Sequence, residues 1–216
     1  MEKNIIKITK DKEDYNFYFP MNGKRHEQSF KNILMGKTYP LIKNFKPKLI
    51  FDLGANLGAT SMFFALNYPK AQIFSFEPTE MNFKWLQKNT ENFRNVVRVK
   101  KGAYSKDTKT KIFLDSDIGG RNSIFKEWTK SDNYEFVDLV NFESFLESKN
   151  LIGKIDVLKI DTEGCEIDIL RSIENDLKSI KVIYLEYHGK GKEKLILDLL
   201  SESHVLIQKK GLRKTA

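Results

Sequence analysis

The segment LIFDLGANLGATS, residues 49–61, joins an apolar run to a glycine-bearing turn and then to residues suited to a helix start. Gly54 permits a sharp backbone reversal, Gly58 permits close approach of chain or ligand, and Thr60 or Ser61 offers a hydroxyl to the free amides of a first helical turn. Such amides favour an anion. Nineteen positions beyond Gly58, the run QIFSF ends at Glu77. An acid at that strand end can accept the protons of both ribose hydroxyls. A nucleoside-containing ligand follows from the pairing; the alternative is an ordinary tight turn and a surface carboxylate.

Asn56 stands where a dinucleotide fingerprint has its second glycine, the one that makes room for a pyrophosphate. NAD is thereby disfavoured. S-adenosylmethionine has no phosphate; its carboxylate suits the helix start, and Asp52 can accept from its ammonium, directly or through water.

Residues of this kind need a sheet to hold them. From residue 49 onward, short apolar runs alternate with longer amphipathic ones, the order that builds a doubly wound, mostly parallel α/β sheet, Rossmann-like in class. Strands are predicted at 49–53, 72–76, 96–99, 157–160, 182–187 and 205–208, and helices at 60–67, 80–93, 166–172 and 192–200. Phe83, Leu86 and Phe93 are expected core contacts. Residues 102–154 are too many for a plain crossover. KIFL and SIF flank the loop DSDIGGRN ahead of the amphipathic NFESFLESKN, which predicts a hairpin insertion between the third and fourth strands, then a helix. Residues 1–47 read as a hairpin (IIKI, YNFYF) and a helix over 27–35, an extension packed on the same domain as 48–216.

Four ordered segments, FDLGANLGATS, FSFEPTEMNFKWLQKNTENFRNVVRVKKGAYS, GKIDVLKIDTEGCEIDIL and VIYLEYH, resemble the FkbM-type class I methyltransferases, which methylate hydroxyls of sugars, polyketides and related small molecules. The resemblance spans about residues 49–187. It implies that Asp52, Gly54, Asn56 and Gly58 hold the methionine part of the cofactor, that Glu77 holds the ribose, that Gly102 and Ala103 lie near adenine, and that Asp161 lies near the reacting centre. KGAY departs from the family's more usual small-residue turn, and Thr162 and Cys165 occupy variable positions. The little chain beyond HVLIQKK leads us to expect a sheet edge without the seventh, antiparallel strand usual in the class.

Methyl transfer from a sulfonium asks the protein to align an acceptor and take its proton. Asp161, at a strand end, is the first candidate for that base. His188, after VIYLEY and beside Glu186, is the second, against the ordinary reading of a packing histidine. Glu166 sits at a helix start, where the dipole favours a carboxylate. Asp161, Glu163, Glu186 and His188 offer donors for a divalent metal only if their loops converge, and no metal is assigned from spacing. Arg121 and Asn122, in GGRNS, either reach over the cofactor or form a hairpin tip. Cys165 lacks a Cys/His arrangement and is given no catalytic role. Phe17, Tyr18, Phe19 and Tyr39 are read as cover for the sheet rather than as an acceptor wall.

The length of 216 residues fits one core, and a 40% hydrophobic share with sixteen Phe is enough to order it. A net charge of +8, from 37 basic and 29 acidic side chains, attracts anions, but the lysines are dispersed, which favours a solvated surface over a nucleic-acid interface. The single cysteine excludes an internal disulfide, the N-terminus lacks an apolar signal core, and no run is long enough to span a bilayer. A cytoplasmic setting is expected. The leading reading is O-methylation of a small-molecule or glycan hydroxyl. An RNA or DNA methyltransferase lacks its base-methylating motif here, and a non-catalytic cofactor-binding regulator is the reading from another class.

Overall fold

The computed structural model describes residues 3–114, 121–129, 131–189 and 191–209. At its start, β1 (Lys3–Lys10) pairs antiparallel with β2 (Glu13–Pro20). Asp11 and Lys12 both take positive φ, 52° and 69°, the geometry a two-residue hairpin turn demands. A 3-10 turn over Met21–His26 leads into α1 (Glu27–Leu34). The hairpin's buried Phe17 and Phe19 meet Phe30 of α1, ring centroids 5.1 and 5.4 Å away.

The central sheet follows. β3 (Leu49–Leu53) leads to α2 (Ala59–Asn67), β4 (Gln72–Phe76), α3 (Glu80–Thr90) and β5 (Val96–Val99). All five residues of β3 are buried, as expected for a strand covered on both faces. One cluster of buried side chains unites Ile6, Phe17, Phe19, Phe30 and Leu34 with Leu57, Met62, Leu66 and Trp85, so the hairpin and α1 pack on the α2–α3 face. Leu86 is buried as expected, whereas Phe83 and Phe93 are only half-buried; Trp85 takes the deeper position.

The chain then forms β6 (Gly102–Tyr104), β7 (Thr108–Phe113), β8 (Tyr134–Asn141) and α4 (Phe142–Ser148). These three strands make a separate sheet in the order β6-β8-β7, in which β8 runs parallel to β6 and antiparallel to β7. The insertion is thus a hairpin, but with a partner other than the expected one. KIF pairs with Tyr134–Asn141, whose alternation buries Val137 and Leu139, and SIF contributes only a bridge from Ser123 to Phe113. Gly119 and Gly120 of the intervening loop lie outside the described residues.

The chain returns through β9 (Val157–Ile160), α5 (Glu166–Ser172), β10 (Val182–Leu185) and α6 (Lys192–Leu200). The five parallel strands stand in the order β10-β9-β3-β4-β5. Connections run outward from β3 in both directions, which makes the carboxyl end of β3 the topological switch point. The fold is therefore the doubly wound α/β class. The strand expected at 205–208 is a correction: Val205 and Ile207 are 86% and 88% exposed, and no strand pairs with them. An apolar run needs a partner with free ladder groups, and this one has none among the described residues. No helix of the described residues is long and apolar enough to cross a membrane.

Candidate functional site

At the switch point, Gly54 takes φ 79°, and its N–H and that of Ala55 both donate to the Phe76 carbonyl, at 3.1 and 2.8 Å. A Cβ on Gly54 would fall 1.8 Å from the Asp161 carbonyl oxygen. The glycine thus lets two chain segments touch, and the turn is stitched to its neighbours before any ligand arrives. Gly58, at φ 89°, faces Leu86 at 2.9 Å from a built Cβ, so it too serves chain packing. Neither Thr60 nor Ser61 caps α2: Ser61 Oγ instead donates to Asp52 Oδ2 at 2.6 Å.

An open cleft lies over this turn. Gly54, Asn56 and Glu77 line one side of it. Glu77, buried, accepts from the Asn56 N–H on Oε2 and from the Thr79 N–H and hydroxyl on Oε1. Three of its roughly four acceptor positions are used, and one is left. Burial pushes its carboxyl up, against the pull of these donors and of Lys159. Gly102 and Ala103, with Ile112 and Leu139, form an apolar stretch of the lining. Asn56 Oδ1 and Thr162 Oγ1 are buried polar atoms with no hydrogen-bond partner among the described residues. Such atoms are costly unless something bonds them.

Asp52 and Gly58 stand behind the cleft rather than in it. Asp52 is 0% exposed and pairs with Lys159 Nζ at 3.0 Å. Lys159, itself 2% exposed, also donates to the Gly54 carbonyl at 2.7 Å and lies 3.9 Å from Asp161 Oδ2. Its burial works to discharge it, but Asp52 and Asp161 outweigh that and raise its pKa. In this structure Asp52 anchors the buried lysine from behind the cleft lining. Lys159 was missed from sequence, although a lysine inside the buried strand VLKI was a visible signal.

Beside the cleft, the ends of β9 and β10 bring acids and an imidazole together. His188 Nδ1 lies 3.1 Å from Oε1 of the fully buried Glu166, while Nε2 lies 3.4 Å from Glu163 and 3.9 Å from Glu186. Donor atoms of Asp161, Glu186 and His188 all lie within 4.8 Å of one another. Burial opposes charge on His188, but the hydrogen bond to Glu166 and the nearby Glu163 and Asp161 raise its pKa to about 9. Burial, and the charges of Asp161, Glu186 and Glu166, push Glu163 up to about 8. Glu186 is raised, first by Asp161 and then by burial. The 3-10 turn Lys126–Trp128 of the insertion lies beside this cluster, with the Trp128 ring 6.1 Å from that of His188.

The structure therefore gathers Gly54, Asn56, Glu77, Gly102, Ala103 and Asp161 into the cleft lining and sets His188 at its flank. Asn122 lines the cleft, while its neighbour Arg121 is exposed and does not. Cys165 also lines it, and burial pushes its thiol up to about 12, so it stays protonated. Asn82 and Thr162 are lining residues that sequence reading missed. Phe17 and Phe19 lie in the hairpin core, and Tyr39 packs edge-on against Tyr184.

A family model described as the Methyltransferase FkbM domain matches residues 52–208. The chain is 25% identical over 165 residues to Methyltransferase 1 of Beauveria bassiana, covering 68% of this chain and 66% of that protein. It is 26% identical over 155 residues to the hexuronic acid methyltransferase AglP of Haloferax volcanii, covering 72% and 62%. The chain thus spans slightly less than two thirds of the length of these curated relatives. Among solved structures, precorrin-6y C5,15-methyltransferase from Geobacter metallireducens matches with 15% identity and a TM-score of 0.46, over 82% of this chain and 70% of that one.

Proposed function

The chain belongs to the FkbM methyltransferase family, and on that premise we propose that it is an S-adenosylmethionine-dependent O-methyltransferase acting on a hydroxyl of a small molecule or glycan. The observation that carries the reading is the junction of two features at Asp161. This residue lines the cleft with Glu77 and Asn56, and it also belongs to the acid and imidazole cluster. A relative named for a hexuronic acid supports a sugar-like acceptor. In this reading residues 1–47 belong to the same domain as 48–216, and the protein works in the reducing cytoplasm, in keeping with its lone Cys165.

The residues present fit the cofactor: Asn56 and Thr162 hold uncommitted polar atoms, Glu77 keeps one acceptor position for a ribose hydroxyl, and Gly102 and Ala103 adjoin an apolar stretch suited to adenine. When bound, the cofactor supplies a methyl group on a sulfonium, already electrophilic. Lys159 and Asp52, beneath the turn, hold the Gly54 carbonyl and so the floor of the site. Asp161 takes the acceptor's proton, because its carboxylate stands at a strand end where the cleft lining meets the acid and imidazole cluster; His188, oriented by Glu166, flanks the acceptor oxygen.

Calorimetric titration of the full chain with S-adenosylhomocysteine tests the cofactor assignment. Saturable binding is expected, weakened about tenfold or more in Glu77→Ala, the cost of a lost charge-assisted hydrogen bond. Absence of binding by folded protein sinks the reading. A screen of uronic acids, neutral glycosides and RNA then asks which class accepts methyl groups, and transfer to RNA alone would overturn the proposed acceptor.

A further inference from the structure

Where the cleft meets the ends of β9 and β10, acids gather around one imidazole. Lys159 is held closest by Asp52, at 3.0 Å, and lies 3.9 Å from Asp161, while the carboxylates of Glu163, Glu166 and Glu186 share the one imidazole of His188. Acids held this close repel one another unless a cation lies among them. The imidazole is oriented as metal-bound imidazoles are: Glu166 occupies Nδ1 at 3.1 Å, so Nε2 is left to point at the other carboxylates. Glu166 gives a second, separate sign. It is 0% exposed; its Oε1 accepts from the Gly164 N–H and faces His188, while its Oε2 has no hydrogen-bond partner among the described residues, a costly arrangement that a cation close by would offset. Glu186 is exposed and Asp161 and His188 are half-buried, so an ion can enter from solvent.

We propose that Asp161, Glu186 and His188 bind one divalent transition-metal cation, with Glu166 as the positioning residue that orients the imidazole. Their donor atoms lie within 4.8 Å of one another, compatible with a shared ion about 2 Å from each after small side-chain rotations. One nitrogen and two carboxylate donors suit Mn²⁺, Co²⁺ or Zn²⁺ better than Ca²⁺, which prefers oxygen donors alone. Three protein donors leave coordination positions open toward the cleft, because Asp161 lines it. The inference rests on the proposed methyltransferase reading only for its purpose, which is to hold and polarise the acceptor hydroxyl. The binding itself requires no cofactor.

The test is titration of the full chain with Mn²⁺ alone, followed by the electron paramagnetic resonance signal of free Mn²⁺, for wild type, Glu186→Gln, His188→Asn and Glu166→Gln. One bound equivalent is expected in wild type. Affinity should fall about tenfold or more in each of the three variants, in Glu166→Gln through the orientation of His188. Circular dichroism and S-adenosylhomocysteine calorimetry on the same samples establish that the variants are folded. Folded wild-type protein that takes up S-adenosylhomocysteine and no Mn²⁺ overturns the metal site and leaves the methyltransferase reading standing. Mn²⁺ binding unchanged in Glu186→Gln and His188→Asn overturns the assigned ligands. Mn²⁺ binding lost in those variants, in a protein that ignores S-adenosylhomocysteine, supports the metal site and removes the cofactor reading instead.

Discussion

The sequence KIDVLKID carries the same tripeptide at both ends of one strand, and the structure uses the two aspartates in opposite ways. At the amino end of β9, Asp156 accepts from the Lys48 and Leu49 N–H groups at 2.6 and 3.0 Å and pairs with Lys181. At the carboxyl end, Asp161 lines the cleft, 3.9 Å from a lysine engaged more closely by Asp52. One acid is saturated with donors, and the other is kept available beside further acids. Residue type and spacing are identical; what differs is which end of a parallel sheet each faces. Strand carboxyl ends open into the crevice where the connections diverge, whereas the amino ends are closed by neighbouring chain.

The largest effect should come from the turn that holds the carboxyl end together. Gly54→Val puts a branched side chain at positive φ and drives it into the Asp161 backbone, so a loss above about 4 kcal/mol is expected, with no cooperative thermal transition by circular dichroism. This substitution reports on folding rather than on ligand contact. Asp156→Ala should cost about 2 kcal/mol in urea unfolding, because it leaves the buried Leu49 N–H and the part-buried Lys48 N–H without their acceptor. Its affinity for S-adenosylhomocysteine should be unchanged within about twofold. Asp161→Asn should show the reverse, a fall of about a hundredfold in turnover with under about 1 kcal/mol of stability lost. If the two variants trade these signatures, the contrast between strand ends is wrong.

A smaller effect separates the ends by pH. Burial works to raise the Asp156 carboxyl, but Lys181 and the two N–H donors prevail and hold it below its ordinary value. A lowered folded-state value means that the stabilisation is complete above the unfolded value, near 3.9, and is lost as pH falls through the folded one. Urea midpoints measured from pH 5 downward should therefore fall less steeply in Asp156→Asn than in wild type. Equal slopes would show that Asp156 contributes no acid sensitivity.

The central strands were legible because buried parallel strands are written as unbroken apolar runs, and β3, β4, β5 and β9 fall where such runs predict. The same signal misled at Val205–Ile207, where apolarity is present and no strand among the described residues pairs with it. Tyr134–Asn141 went unread as a strand because its partners, β6 and β7, lie far back in the chain. Of the cleft, the glycine turn, Glu77 and Asp161 were readable as a motif. The convergence of Glu186 and His188 with Asp161 was not, since it depends on β10 lying beside β9. Lys159 was hidden by a rule that usually holds, that lysines face water.

The chain contains two tryptophans, and the fold has put one in each half of its architecture. Trp85 is sealed at 5% exposure among the side chains of the N-terminal hairpin and α2, while Trp128 lies over His188 with Lys192 4.7 Å from its ring. Indole emission responds to nearby charge, so the molecule carries its own optical reporter: the light from Trp128 should change when a ligand or ion alters the charge around His188, while that from Trp85 stays as a built-in reference.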